Sequence, residues 1–294
     1  MTANMGWARA VGIAASGAAT KQFDFLNCGI SKQGAHINEQ GIRGSRSHVA
    51  EAVSDGPYIV GGPLSLIPRP DDLDDLLPWI MGSTFSTDTI IIGDTLTDRD
   101  IDIDWGDIGV PRAEGCRVNS ASFSSSAGGN LRLDLDVQGK TWTPASAGTF
   151  PAISATLSNL QPYVHTQSVL TINSVARPIN NVNLTINNNL ILDRFQNSLT
   201  RTELPSADLN ISLDLDMPFM DPHDDLWDMA VAGFAGSLVY TNGARSITFT
   251  FANLKAPAQA IEIARNSEMI HRLPLTAYRT SANPCLTVVN DQTG

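Results

Sequence analysis

In the stretch DRDIDIDW, Asp100, Asp102 and Asp104 stand two residues apart, and carboxylates at such spacing are the raw material of a site for a hard cation. A calcium loop of the EF-hand kind needs more than acids: a glycine at its sixth position makes the turn, and a bidentate glutamate at its twelfth closes the cage. Counted from Asp100, Trp105 falls on the glycine position and Pro111 on the closing one. The loop is therefore not encoded. The alternation of Asp with Ile101 and Ile103 is what a β-strand with one wet and one buried face requires, since side chains two apart share a face.

The same question returns twice along the chain. Leu131, Leu133, Leu135 and Val137 alternate with Arg132, Asp134, Asp136 and Gln138, and ADLNISLDLDMPF repeats the pattern with Asp214 and Asp216. Other chemistry is not signalled. No nucleophile elbow, phosphate-binding glycine loop, dinucleotide fingerprint or zinc-protease helix occurs. His36, His48, His165, His223 and His271 are scattered, and Cys28, Cys116 and Cys285 form no C-x-x-C pair. The residues thus point to no catalytic, cofactor or metal site and to a non-enzyme.

Composition bounds the classes that remain. With 294 residues, 42% of them hydrophobic, the chain can bury a substantial core. Thirty acidic residues against 19 basic ones leave a net charge of -11, which repels nucleic-acid phosphates and anionic membranes. The apolar run Met229–Tyr240 is too short for a membrane span, and the early RAVGIAASGAATK segment lacks the large apolar residues of a secretory leader.

The elements that must position the aspartates are mostly strands. Besides the alternating stretches, Tyr58–Ile67, Thr89–Ile92, Val118–Ser125, Ile179–Leu192, Ser237–Thr241, Ser246–Ala252 and Leu273–Tyr278 read as β. Two stretches read as helices. In PRPDDLDDLLPWIMGS, Leu73, Leu76, Leu77, Ile80 and Met81 keep helical spacing up to Gly82, with Pro78 expected to kink or shorten the helix. In DPHDDLWDMAVAGF, Asp221 suits an N-cap and Pro222 the first helical position.

The surroundings of the two helices match, which suggests an internal duplication. Each helix follows a strand, leads into a hairpin (turning at Gly93-Asp94 in one half, at Asn242-Gly243 in the other), meets a proline (Pro111, Pro257) and reaches two strands joined by SSAGGN or ARNSE. The expected organisation is an N-terminal arm over 1–56, a first β unit over 57–142, a linker over 143–178, a second β unit over 179–280 and a C-terminal tail over 281–294. The fold class is mainly β: two tandem sandwich or barrel units, each with one short helix.

The runs GPLSLIPRPDDLDDLLPWIMGS, GCRVNSASFSSSAGGNLRLDLDVQGKTW, VNLTINNNL and LDLDMPF, in that order, resemble the tail tube protein of long, non-contractile-tailed bacteriophages. The resemblance implies a structural virion protein, assembled in the host cytoplasm. Its copies would stack as rings around a continuous β-barrel, with no cofactor and no catalytic residue. It implies as partners further copies of itself, a tail terminator and tail-tip proteins, with the tape measure protein and DNA passing through the lumen unbound. Two units per chain point to a trimer with pseudo-six-fold symmetry, a hexamer being the alternative. An acidic lining leaves sliding DNA without phosphate partners, and Asp134, Asp136, Asp214 and Asp216 are the candidate channel residues. The segment ILDRFQNSLTRTELPS lies outside the repeat, and Arg194, Phe195, Leu199 and Arg201 in it are candidates for contacts between stacked rings. The competing class, a secreted β-sandwich adhesin or carbohydrate-binding module, would need an aromatic platform, and the chain is only 6% aromatic with four tyrosines.

Overall fold

The computed structural model describes residues 10–14, 19, 21–37, 53–144, 153, 157–218, 225–257 and 270–293. In chain order the elements are β1 (Val11–Ala14), β2 (Lys21–Phe23), β3 (Phe25–Cys28), β4 (Ser31–Ile37), β5 (Ser54–Leu66), α1 (Leu73–Met81), β6 (Thr89–Ile91), β7 (Arg99–Ile103), β8 (Arg112–Ser126), β9 (Arg132–Gly139) and β10 (Thr141–Thr143). There follow β11 (Ser168–Ile172), β12 (Val175–Arg177), β13 (Asn181–Asn187), β14 (Asn210–Pro218), α2 (Asp225–Ala232), β15 (Phe234–Asn242), β16 (Arg245–Lys255), β17 (Ile270–Tyr278) and β18 (Leu286–Asp291).

Alternating sequences produce an antiparallel array with one buried side. The strands β4, β5, β9, β8, β13, β14 and β17 lie side by side in that order. On the buried side, Leu64, Leu135, Phe123, Leu184, Leu213 and Leu275 are each at most 2% exposed. A second layer, β12, β11, β15, β16, β18 and β6, covers them. Phe123 of β8 meets Phe249 of β16 with ring centroids 5.3 Å apart. The layers join where β16, paired with β18 over Ser246–Phe251, passes to β17 over Asn253–Lys255. A smaller array, β2, β1, β7, the first part of β8 and β10, extends from the same long strand.

Helix α1 buries Leu73, Leu76, Leu77, Trp79, Ile80 and Met81, and Trp79 donates its indole N–H to Cys116 O at 3.0 Å. The helix runs on through Pro78 and stops at Gly82, whose left-handed backbone (φ 69°) lets its N–H reach Pro78 O. The expected cap at Asp221 and Pro222 and the ARNSE turn lie outside the described residues.

Two expectations are corrected. No hairpin turns at Gly93-Asp94: β6 pairs with β18, and β7 pairs with β1 and β8. Gly93 instead packs on the end of α1, donating to Met81 O, and a Cβ there would stand 2.2 Å from Gly82 O. Nor is Asp102 on a wet face. It is 1% exposed, and Arg112, its register partner on β8, meets it there. The Asn242-Gly243 turn does join β15 to β16, with Gly243 at φ 63°.

Strands also form where alternation is missing. β1, in the N-terminal segment, is buried along its whole length, and a strand covered on both faces carries no polar phase to read. β11 and β12 fall within 143–178, and β18 within 281–294, where Leu286 and Val288 are fully buried.

Candidate functional site: a polar face across six strands

The second residue of every apolar-polar pair ends on the far side of the array, and there the strands present one continuous polar face. A single cross-strand row reads Ser65, Asp134, Ser122, Thr185, Ser212 and Thr276 through β5, β9, β8, β13, β14 and β17. The flanking rows carry Asp136 with Ser120 and Asn187, Asp214 with Asn183 and Ser124, and Asp216 with Asn181 and Ser126. All four aspartates singled out in the sequence therefore share one face. They fall in two pairs, on β9 and β14, with the uncharged residues 120–126 of β8 and 181–187 of β13 between them. Three strand spacings separate the pairs by about 14 Å, beyond the screening length of physiological salt.

The two pairs differ in their neighbours. Asp134 accepts from Ser65 Oγ at 2.5 Å and pairs with Arg132 at 2.9 Å. Asp136 accepts from Asn119 at 2.7 Å and Gln138 at 2.9 Å. Asp216 accepts from Asn181 at 3.0 Å and lies 3.8 Å from Arg272. Asp214 is exposed, and its carboxyl is pushed above the ordinary carboxylate range, first by the burial it does have and then by the charge of Asp216. Between the pairs the polar groups satisfy one another, as where Ser122 donates to Asn183 Oδ1 at 2.5 Å. A shallow cleft of about 450 Å³ on this face is lined by Asp214, Asp216, Asn183, Ser124 and Arg132, among others.

Chemically this is a wet surface of short hydroxyls, amides and carboxylates. Among the described residues, no three or more His, Cys, Asp or Glu side chains come together as metal ligands, and no helix is long and apolar enough to cross a membrane. One buried pairing of hydroxyl and imidazole, Ser125 with His165, is structural. His165 Nε2 lies 3.1 Å from Ile179 O, an acceptor, so Nε2 carries the proton and Nδ1 accepts from Ser125, 2.9 Å away. Ser125 in turn lies 2.8 Å from Tyr240 Oη, and the chain of bonds ties β8 to the second layer. Nothing in the spacing of these residues announces it.

The segment 191–206 folds against the edge of the array. Arg201 is 4% exposed and holds it down, donating to Leu192 O at 2.9 Å, Val60 O at 3.2 Å and Gln138 Oε1 at 3.1 Å. Tyr58 N–H donates to Leu199 O at 2.9 Å. Arg194 and the Leu199 side chain are exposed and Phe195 is half-buried. The four residues thus divide into a buried anchor and an outward-facing group.

No curated protein matches this chain. The family described as "phage tail tube protein" matches it over residues 10–277, nearly its whole length. The β-rich sandwich, its uninterrupted polar face and this match agree, and the chain belongs to the phage tail tube protein family, structural components of the bacteriophage virion.

Proposed function

We propose that this protein polymerises as stacked rings into the tail tube and that the six-strand polar face lines the conduit through which the genome leaves. The observation that carries this is the face itself. It is broad, continuous, free of large apolar side chains at its centre and more acidic than basic, with Asp134, Asp136, Asp214 and Asp216 against Arg132 and Arg272. Polyanionic DNA finds few cations to grip on such a lining, so it slides rather than binds. Further tail components, a terminator and tip proteins, would cap the ends, and the tape measure protein would occupy the lumen before DNA does.

The two-unit reading is supported by strand order. In the first half β4 lies beside β5, β5 leads into α1, and β9 returns to pair with β5. In the second half β13 lies beside β14, β14 leads into α2, and β17 returns to pair with β14. Units over 57–142 and 179–280 would each supply one sixth of a ring, and three chains would close it with pseudo-six-fold symmetry. Arg194, Phe195 and Leu199, on the segment that Arg201 anchors, would meet the next ring.

Cryo-electron microscopy of the concentrated protein tests the proposal. Hollow tubes with three-fold rings are expected. Persistent monomers would overturn the tube, and rings that refine with six identical chains would overturn the two-unit trimer.

A further inference from the structure

The two halves can be laid on each other residue by residue. Gly82 and Gly233 end α1 and α2 in the same way, each donating its N–H to the carbonyl four residues back, Pro78 O and Met229 O. Leu66 stands sixteen residues before Gly82 and Met217 sixteen before Gly233, and both are buried. β5 therefore falls on β14 with Pro63 matching Asp214 and Ser65 matching Asp216, and the pairing registers carry the match to the returning strands β9 and β17. Pro63↔Asp136 answers to Asp214↔Pro274, and Ser65↔Asp134 answers to Asp216↔Arg272. In both cases the carboxylate changes strands and keeps its height. The slope of the match fits a closed ring. The cross-strand row from Asp134 crosses four strand spacings and reaches β17 at Thr276, four residues from Arg272. That is about 13 Å along the strands over about 19 Å across them, a slant of roughly 35° and within the strand tilt of closed barrels.

The two heights differ in charge. Asp134 is paired with Arg132 at 2.9 Å and Asp216 lies 3.8 Å from Arg272. Among the described residues neither Asp136 nor Asp214 forms an ion pair. Asp136 takes two amide donors, Asn119 and Gln138, which leave its charge in place, and Asp214 is exposed.

We infer that each ring carries two belts with one carboxylate per unit, a bare belt from Asp136 and Asp214 and a balanced belt in which Arg132 and Arg272 accompany Asp134 and Asp216. The inference rests on the ring reading above, with two units per chain. The ligand it concerns is a phosphodiester polyanion in transit. The bare belt turns a charge on its phosphates from every unit, although the two halves of the chain supply that charge from different strands. In the balanced belt the aspartates keep two exposed arginines from gripping those phosphates. Losing an acid at one height thus removes repulsion, and losing one at the other uncovers a cation.

Two charge-matched variants separate the belts, since Asp134→Asn/Asp216→Asn and Asp136→Asn/Asp214→Asn remove the same charge. Tubes assembled from the full-length chain are sedimented with a short DNA duplex across about 50 to 200 mM salt. Parent tubes should leave the duplex in solution. Asp134→Asn/Asp216→Asn should retain at least about tenfold more of it at the low end and release it as salt rises, whereas Asp136→Asn/Asp214→Asn should retain no more than the parent. Adding Ser65→Asp to the first variant should lower retention again, because Arg132 Nη2 already lies 3.4 Å from Ser65 Oγ. Equal retention by the two variants, or none by either, would overturn the two belts and leave the tube reading standing. Where a double variant does not assemble, Asp216→Asn and Asp214→Asn carry the same comparison. A parent chain that forms no tubes under any condition would overturn the tube reading, and this inference with it.

Discussion

Arg112 and Asp102 meet in the interior as a two-pronged ion pair, Nε to Oδ1 at 2.6 Å and Nη2 to Oδ2 at 2.7 Å, with neither residue more than 4% exposed. They link β7 to β8 at the root of the smaller array, where Asp102↔Arg112 is also a register pair. A buried pair of this geometry is costly to break from one side, because the survivor keeps its charge without its partner.

Asp102→Ala should therefore lower unfolding free energy by about 3–5 kcal/mol. The double variant Asp102→Leu/Arg112→Met should cost less than the single one. Urea denaturation of both gives the comparison. Equal losses would show that the pair acts through its volume and not its charge.

The polar face makes a separate prediction. Asp214 and Asp216 border the wet cleft, and changes there should alter folding stability by less than about 1 kcal/mol. Asp214→Lys/Asp216→Lys should assemble tubes of normal diameter while slowing genome delivery, measured as DNA release from purified virions triggered in vitro. Normal release kinetics with intact tubes would remove this face from the channel.

The segment 191–206 should separate folding from stacking. Arg201→Ala strands three backbone carbonyls, those of Leu192, Val60 and Gly139, and should expose the segment to limited proteolysis at a cost of about 1–3 kcal/mol. Leu199→Asp, at a side chain 49% exposed, should leave the melting temperature unchanged and yield rings or short stacks in place of long tubes. Long tubes from Leu199→Asp would mean that other residues join the rings.

Acid should weaken one clamp in a defined direction. Burial alone would raise the Asp98 carboxyl, but the bonds from Lys140 at 2.6 Å and Arg117 at 2.5 Å outweigh it and hold the group below its ordinary value. A depressed carboxyl contributes stability above its unfolded value of about 3.9, and that contribution is lost as pH falls through the lower folded value. Asp98 is 38% exposed, so the effect stays below about 1 kcal/mol. The melting difference between the parent and Asp98→Asn should be present at neutral pH and vanish in strong acid. A difference that grows on acidification would reverse the assignment.

Periodicity alone determined much of this protein. Leu131 to Gln138 and Ile211 to Asp216 alternate so regularly that their burial, and the wet side shared by Asp134 with Asp136 and by Asp214 with Asp216, follow from a two-residue repeat. The spacing of Leu73, Leu76, Leu77 and Ile80 likewise marked α1 and its buried stripe. Local pattern could not say which strands become neighbours, because pairing is a long-range choice that the tertiary structure makes. It decided that β8 joins the two halves through β13, that β6 leaves its neighbour for β18, and that β1 and β18 are strands at all. It also placed Asp102 inside: the same alternation means a wet face on β9 and a buried ion pair on β7, where Arg112 of the neighbouring strand β8 meets Asp102 and both are shut off from solvent.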